Sequence, residues 1–217
     1  RTKSPRAVVA LRPFLAHDNE DLVIVALEGL AKLQYSALAK PLAERLRDPR
    51  WRVRVAALEA VAELKAAALR NDVAEAIHDP DPFVRHAAIG ALAAISSPKA
   101  FAAGAARLFQ SLPELRPQIL QAMARHDLDI PNAFIDAIAA DPNPERIVAC
   151  LGAAANLEKR ALPLALRLAA HPNPDIAAAA LSILLQSGIG QPAARGHILN
   201  ALRSRSGDDL ASLLEDL

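Results

Sequence analysis

Cysteine, aromatic rings and long apolar runs are what this sequence has least of. Its 217 residues include one cysteine, Cys150, and one tryptophan, Trp51, and aromatic residues make up 3% of the chain. A lone cysteine excludes a disulfide framework and any Cys-based zinc or iron–sulfur site within the chain. The shortage of Val, Ile, Thr, Tyr and Phe argues against a sheet protein. No stretch of 18 apolar residues exists and no signal-peptide pattern opens the chain, so neither a membrane span nor a leader is read from it. Neither sign of charge prevails. The 25 Lys and Arg against 24 Asp and Glu leave a formal charge of +1, which excludes a generic attraction to nucleic acid or anionic membrane. A cytoplasmic location is the expectation. Because the chain opens on Arg1, a fragment of a longer protein is expected as well.

What is abundant points to helices. About fifty alanines and 33 leucines favour helix over strand. Proline-marked segments recur: DPRWRVRVAALEAVAEL from Asp48, DPDPFVRHAAIGALAAI from Asp79, DPNPERIVACLGAAANL from Asp141 and HPNPDIAAAALSILLQS from His171. The first two start 31 residues apart, and the third starts two such periods after the second. Stepping by the same interval finds matching apolar positions from Gln110 and from His17, so six copies start at 17, 48, 79, 110, 141 and 171. Within a copy the apolar residues keep helical spacing, as Val53, Ala56, Ala57, Val61 and Leu64 do in the second, and Val84, Ala87, Ala88, Leu92 and Ile95 in the third. A second amphipathic helix follows each of these, over 37–47, 66–78, 98–110, 131–140 and 160–170. Ser4–Pro5 and Ser97–Pro98 read as N-caps of these A helices. Asp48–Pro49, Asp81–Pro82, Asn143–Pro144 and Asn173–Pro174 read as N-caps of B helices. With an opening helix at 4–15 and closing ones at 191–203 and 208–216, seven helix pairs are expected.

A DP turn followed by V-R-x-x-A-A, with a further Leu or Val after it, resembles the HEAT repeat, and the compact period resembles its phycobilisome-lyase-type subgroup. Asp48, Val53, Arg54 and Ala57, and Asp79, Val84, Arg85 and Ala88, carry the likeness. It implies an all-α fold, a right-handed α-solenoid forming one domain over 1–217, with B helices on the concave side. It also implies a ladder in which Arg54 and Arg85 pair with the Asp of a neighbouring turn, Asp48 and Asp79 being such residues. Departures from the motif in later copies lead us to expect the ladder to break beyond the third.

No catalytic constellation is visible, and no cofactor or metal is expected. His17–Asp18, His78–Asp79 and His126–Asp127 all fall at repeat boundaries, where a histidine suits a helix C-terminus. No His–Glu pair, Gly-rich phosphate loop or G-x-S-x-G exists. Cys150 lies in an alanine-rich stripe and reads as a small buried hydrophobe. Lys40, Arg45, Arg47, Arg50, Arg52 and Arg54 cluster around Trp51. Arg50, Trp51 and Arg52 are thus a candidate anion patch, against the alternative of a solvated surface with Trp51 packed between repeats.

The better candidate site is the concave face. Positions four, seven and eleven residues after each motif start lie off the buried stripe. Arg52, Val55, Phe83, His86, Gly90, Gln121, Val148 and Gly152 are the candidate partner-binding residues, with Asp21, Ile24, Glu28 and Glu59 among their neighbours. The reading is a non-catalytic scaffold holding a protein segment there. The alternatives are a phycobilisome-lyase-like chromophore factor and a DNA-binding or repair solenoid using the Arg/Trp cluster; nucleic acid is the less favoured partner. Leu210, Leu213, Leu214 and Leu217 align on the final helix with nothing to cover them, so a further domain or partner is expected at that end.

Overall fold

The computed structural model describes residues 5–188. Twelve α-helices and no strand occur among the described residues: α1 Pro5–Leu11, α2 Glu20–Lys32, α3 Ala39–Arg45, α4 Trp51–Glu63, α5 Arg70–Ala76, α6 Pro82–Ile95, α7 Pro98–Ser111, α8 Arg116–Arg125, α9 Asn132–Ala139, α10 Pro144–Ala154, α11 Leu162–Leu168 and α12 Pro174–Gly188. Odd-numbered helices are the A members and even-numbered helices the B members of six pairs. The seventh pair expected at 191–203 and 208–216, including the four leucines of its last helix, lies outside the described residues. Several A helices are shorter than their periodicity implies, because 3-10 turns at Ser36–Leu38, Ala67–Leu69 and Ala155–Ala161 lead into α3, α5 and α11.

The chain divides into two compact units, one through Phe101 and one from Ala102 on, the boundary falling within α7. In the first unit α4 packs against α2 on one side and α6 on the other. That sandwiching explains why α4 buries more than one stripe: Val53, Ala56, Ala57 and Val61 are joined by Leu58 and Ala60, while Leu64 is only half-buried. In α6, Ile89, Ala91 and Ala93 are buried beside Val84, Ala88 and Ile95, whereas Ala87 and Leu92 stay half-buried. Alanine on several sides of a helix lets neighbours approach closely without leaving voids. In the second unit, α8, α10 and α12 stack in the same way, and the Phe109 and Phe134 rings lie parallel, 3.7 Å apart, in its core.

Two successive caps open most B helices. The first residue of the turn accepts the backbone N–H two residues on: Asp79 from Asp81 at 2.9 Å, Asp141 from Asn143 at 3.0 Å, and Asp48 from Arg50 at 3.0 Å. In the first and sixth copies a histidine does the same through Nδ1, His17 accepting from Asn19 at 3.0 Å and His171 from Asn173 at 3.1 Å. The residue reached then caps the helix itself, as Asp81 does for Phe83 and Val84, and Asn143 for Arg146. Asp48 is therefore not the N-cap of α4. That place belongs to Arg50, which makes no side-chain cap, and the helix starts at Trp51.

The helix ends repeat too. Gln34, Lys65, Asp127 and Glu158 all have positive φ, at 53°, 49°, 59° and 52°, on the 31-residue register after α2, α4, α8 and α10. Behind α4, Lys65 N–H donates to Ala62 O and Ala66 N–H to Val61 O, which closes a left-handed C-terminal cap. The same pair of bonds recurs at Gln34–Tyr35 and Asp127–Leu128. Glycine normally fills this place, so its absence hid the feature from the sequence.

Arginine ladder and candidate docking face

The ladder joins one repeat to the next through buried charge. Arg54 donates from Nε and Nη2 to the two oxygens of Asp79, at 2.8 and 2.9 Å, while its Nη1 serves the Asp48 and Pro49 carbonyls. Arg85, at the same register, donates only to the Asp79 and Pro80 carbonyls, and its buried Nε has no hydrogen-bond partner. The next register position is Gln110, which brings no carboxylate. The expected Arg85 pairing is thus replaced by bonds to its own turn.

The ladder does not end at the third copy, however. Arg116, again at the sixth position after a motif start, reaches Asp141 at 2.7 Å and also donates to the Phe109 and Ala137 carbonyls. Its guanidinium lies 5.3 Å from the Phe109 ring centre. The missing DP of the fourth copy concealed an arginine already in register. In the fifth copy Ile147 takes the arginine position and is buried, and Arg146 folds back onto Asp141 with two bonds of 2.7 and 2.9 Å. Those hydrogen bonds hold the Asp141 carboxyl below the usual range, against the opposing effect of burial.

The arginines around Trp51 are likewise engaged. Arg50 clasps Asp48 through Nε and Nη2, at 2.8 and 2.9 Å, and donates to the Asp18 carbonyl. Its hydrogen bonds draw the Asp48 carboxyl down. Arg52 meets Glu20 at 2.7 Å and Asp21 at 3.2 Å, Arg45 meets Asp48, and Arg47 meets Asp72 and Glu75. Five of the six clustered cations therefore already face carboxylates. Trp51 contacts the next repeat without being buried there. It is 41% exposed and stacks on Phe83, 63% exposed, at 5.3 Å and 24°. The second aromatic, invisible within the Trp51 segment, comes from one repeat further on.

None of the positions expected on the concave face is buried. Arg52, Phe83, His86, Gln121 and Gly152 are exposed, and Val55, Gly90 and Val148 half-buried. A Cβ on Gly152 would meet no atom within 4 Å. In the first unit these positions lead into a cavity of about 270 Å³ lined by Glu28, Ala31 and Lys32 of α2 and Glu59, Ala60 and Glu63 of α4. Burial, aided by the charge of Glu28, pushes the Glu59 carboxyl up. In the second unit Gln121 lines a cavity of about 410 Å³ with Ala124, Arg125 and Asn156.

Reactive groups are scarce. Cys150 is buried, and that burial pushes its thiol up to about 12, far from the thiolate a nucleophile needs. Among the described residues no group of three His, Cys, Asp or Glu side chains is placed to hold a metal ion. No described helix is long and apolar enough to cross a membrane.

Repeated helix pairs, stacked B helices and a turn-to-turn arginine ladder define the class: an all-α solenoid of helical repeats. Residues 39–124 match the family described as HEAT repeats. No curated protein matches it. Two crystal structures of engineered proteins are similar, one at 20% identity over 96% of each chain with a TM-score of 0.41. The other is at 14% identity, over 96% of this chain and 94% of that one, with a TM-score of 0.37. HEAT repeats form helical scaffolds that typically mediate protein interactions, and the fold is generally non-catalytic.

Proposed function

We propose that this chain is a non-catalytic scaffold, one domain over 1–217, that holds a segment of another protein along the exposed face of its B helices. The supporting observation is the register itself: the same three positions stay out of the core in copy after copy, and in the first unit one of them, Phe83, stacks on the neighbouring exposed Trp51. Large aromatics left in solvent mark interaction surfaces. A preformed helical surface also loses little conformational entropy on binding. The arginine cluster favours no nucleic-acid reading, because its guanidinium groups are already satisfied by carboxylates.

The test compares Phe83→Asp and His86→Asp with Ala74→Asp, an exposed position on the A helix α5, in affinity capture of partners from native extract. The first two are expected to lose partners that the third keeps. Equal recovery by all three would remove the B-helix face from the account.

A further inference from the structure

Resting on that reading of the B-helix face, we propose that α2, α4 and α6 dock a protein segment carrying an apolar side chain and, about four residues later, a lysine or arginine. Two features of one helix face set this chemistry. At the start of α4 the Trp51 and Phe83 rings stack on each other, yet both keep a large share of their surface in solvent. Two turns further along the same face lies the cavity between α2 and α4, walled by three carboxylates, Glu28, Glu59 and Glu63, against one ammonium, Lys32. Lys32 is already drawn to Glu28 at 3.6 Å. Among the described residues, no ion pair engages Glu59 or Glu63. A raised Glu59 carboxyl, held up by burial and by the charge of Glu28, is the state that a nearby cation would relieve.

The spacing fixes the length of the ligand. Trp51 and Glu59 are eight residues apart on α4, which is about 12 Å along a helix axis. An extended chain covers that distance in about four residues. Half-buried Val55 lies between the two anchors and offers the aliphatic stem of a lysine or arginine an apolar path to the cavity. An acidic segment would instead meet carboxylates at one end and, at the other, Arg52 already paired with Glu20.

The probe is acetyl-Leu-Gly-Ser-Gly-Arg-amide, titrated into the isotope-labelled full chain and followed by NMR. Two companion peptides replace the arginine by glutamate or the leucine by serine. The expected result is saturable shifts at the Trp51 indole and at the amides of Glu59 and Glu63, with at least tenfold weaker binding of either companion. The Glu59→Gln/Glu63→Gln chain should lose the preference for arginine over glutamate, and Trp51→Ala should lose the preference for leucine over serine. If the glutamate peptide shifts the same amides equally well, the charge specificity is overturned while the docking face stands. If no peptide shifts any residue of α2, α4 or α6, both fall.

Discussion

Asp141→Asn should be among the most damaging conservative changes in this chain. The Asp141 carboxylate is 2% exposed and accepts four donors: Asn143 N–H, Arg146 Nε and Nη2, and Arg116 Nη1. An asparagine keeps one carbonyl oxygen and turns its NH₂ towards guanidinium donors. Arg116, itself only 9% exposed, would then hold a buried charge with no counter-ion. Removing one member of a buried pair costs about 3–5 kcal/mol, a large part of the roughly 5–15 kcal/mol that typical domains possess. Urea unfolding followed by far-UV circular dichroism measures it. Asp72→Asn, which loses only the exposed Arg47 pair, should leave the curve nearly unmoved. Replacing Asp141 by leucine together with Arg116 by methionine should recover part of the loss, since apolar pairs often substitute for buried ion pairs. An Asp141→Asn curve coinciding with that of Asp72→Asn would refute the claim that this carboxylate holds adjacent repeats together.

Three further outcomes are expected. Ala57→Leu, at a fully buried position of α4, should overpack the α2–α4–α6 contact and cost about 1–3 kcal/mol in the same assay; a neutral result would mean the helices part easily there. Lys65→Gly should stabilise, because an L-residue in the left-handed region costs about 1–2 kcal/mol, offset in part by the larger unfolded-state freedom of glycine; a lower melting temperature would contradict the cap at that turn. Glu59→Gln should stabilise at neutral pH and converge with the parent in acid. The folded carboxyl is raised, so the parent loses stability as pH rises from the ordinary glutamate range through that raised value. A difference that does not change with pH would sink this reasoning.

The repeat was legible because its signals are periodic and chemically explicit. Asp, Pro and small apolar residues recur at 31-residue intervals, and the exposed phase of the B helices follows from helical arithmetic. Features that depend on substitution by an unlike residue were hidden. His17 and His171 do the capping work of aspartate through Nδ1. Gln34 and Lys65 occupy a place where glycine is the recognisable mark. Arg116 continues the ladder in a copy whose DP is absent. The cluster around Trp51 was half legible: its positive charge is evident in the sequence, but the neutralising Glu20, Asp21, Asp72 and Asp79 and the stacking Phe83 arrive from neighbouring repeats. A count within one segment misses them.

The most direct test of the docking claim is site-specific photocrosslinking in native extract. Benzoylphenylalanine would be placed at His86, on the B-helix face, and at Ala74, on an exposed A-helix position, with adducts mapped by mass spectrometry. The expected result is a saturable adduct at position 86 that maps to one partner segment containing an apolar residue and, about four residues on, a lysine or arginine. Adducts at 74 as abundant as those at 86, or none at 86, would contradict it.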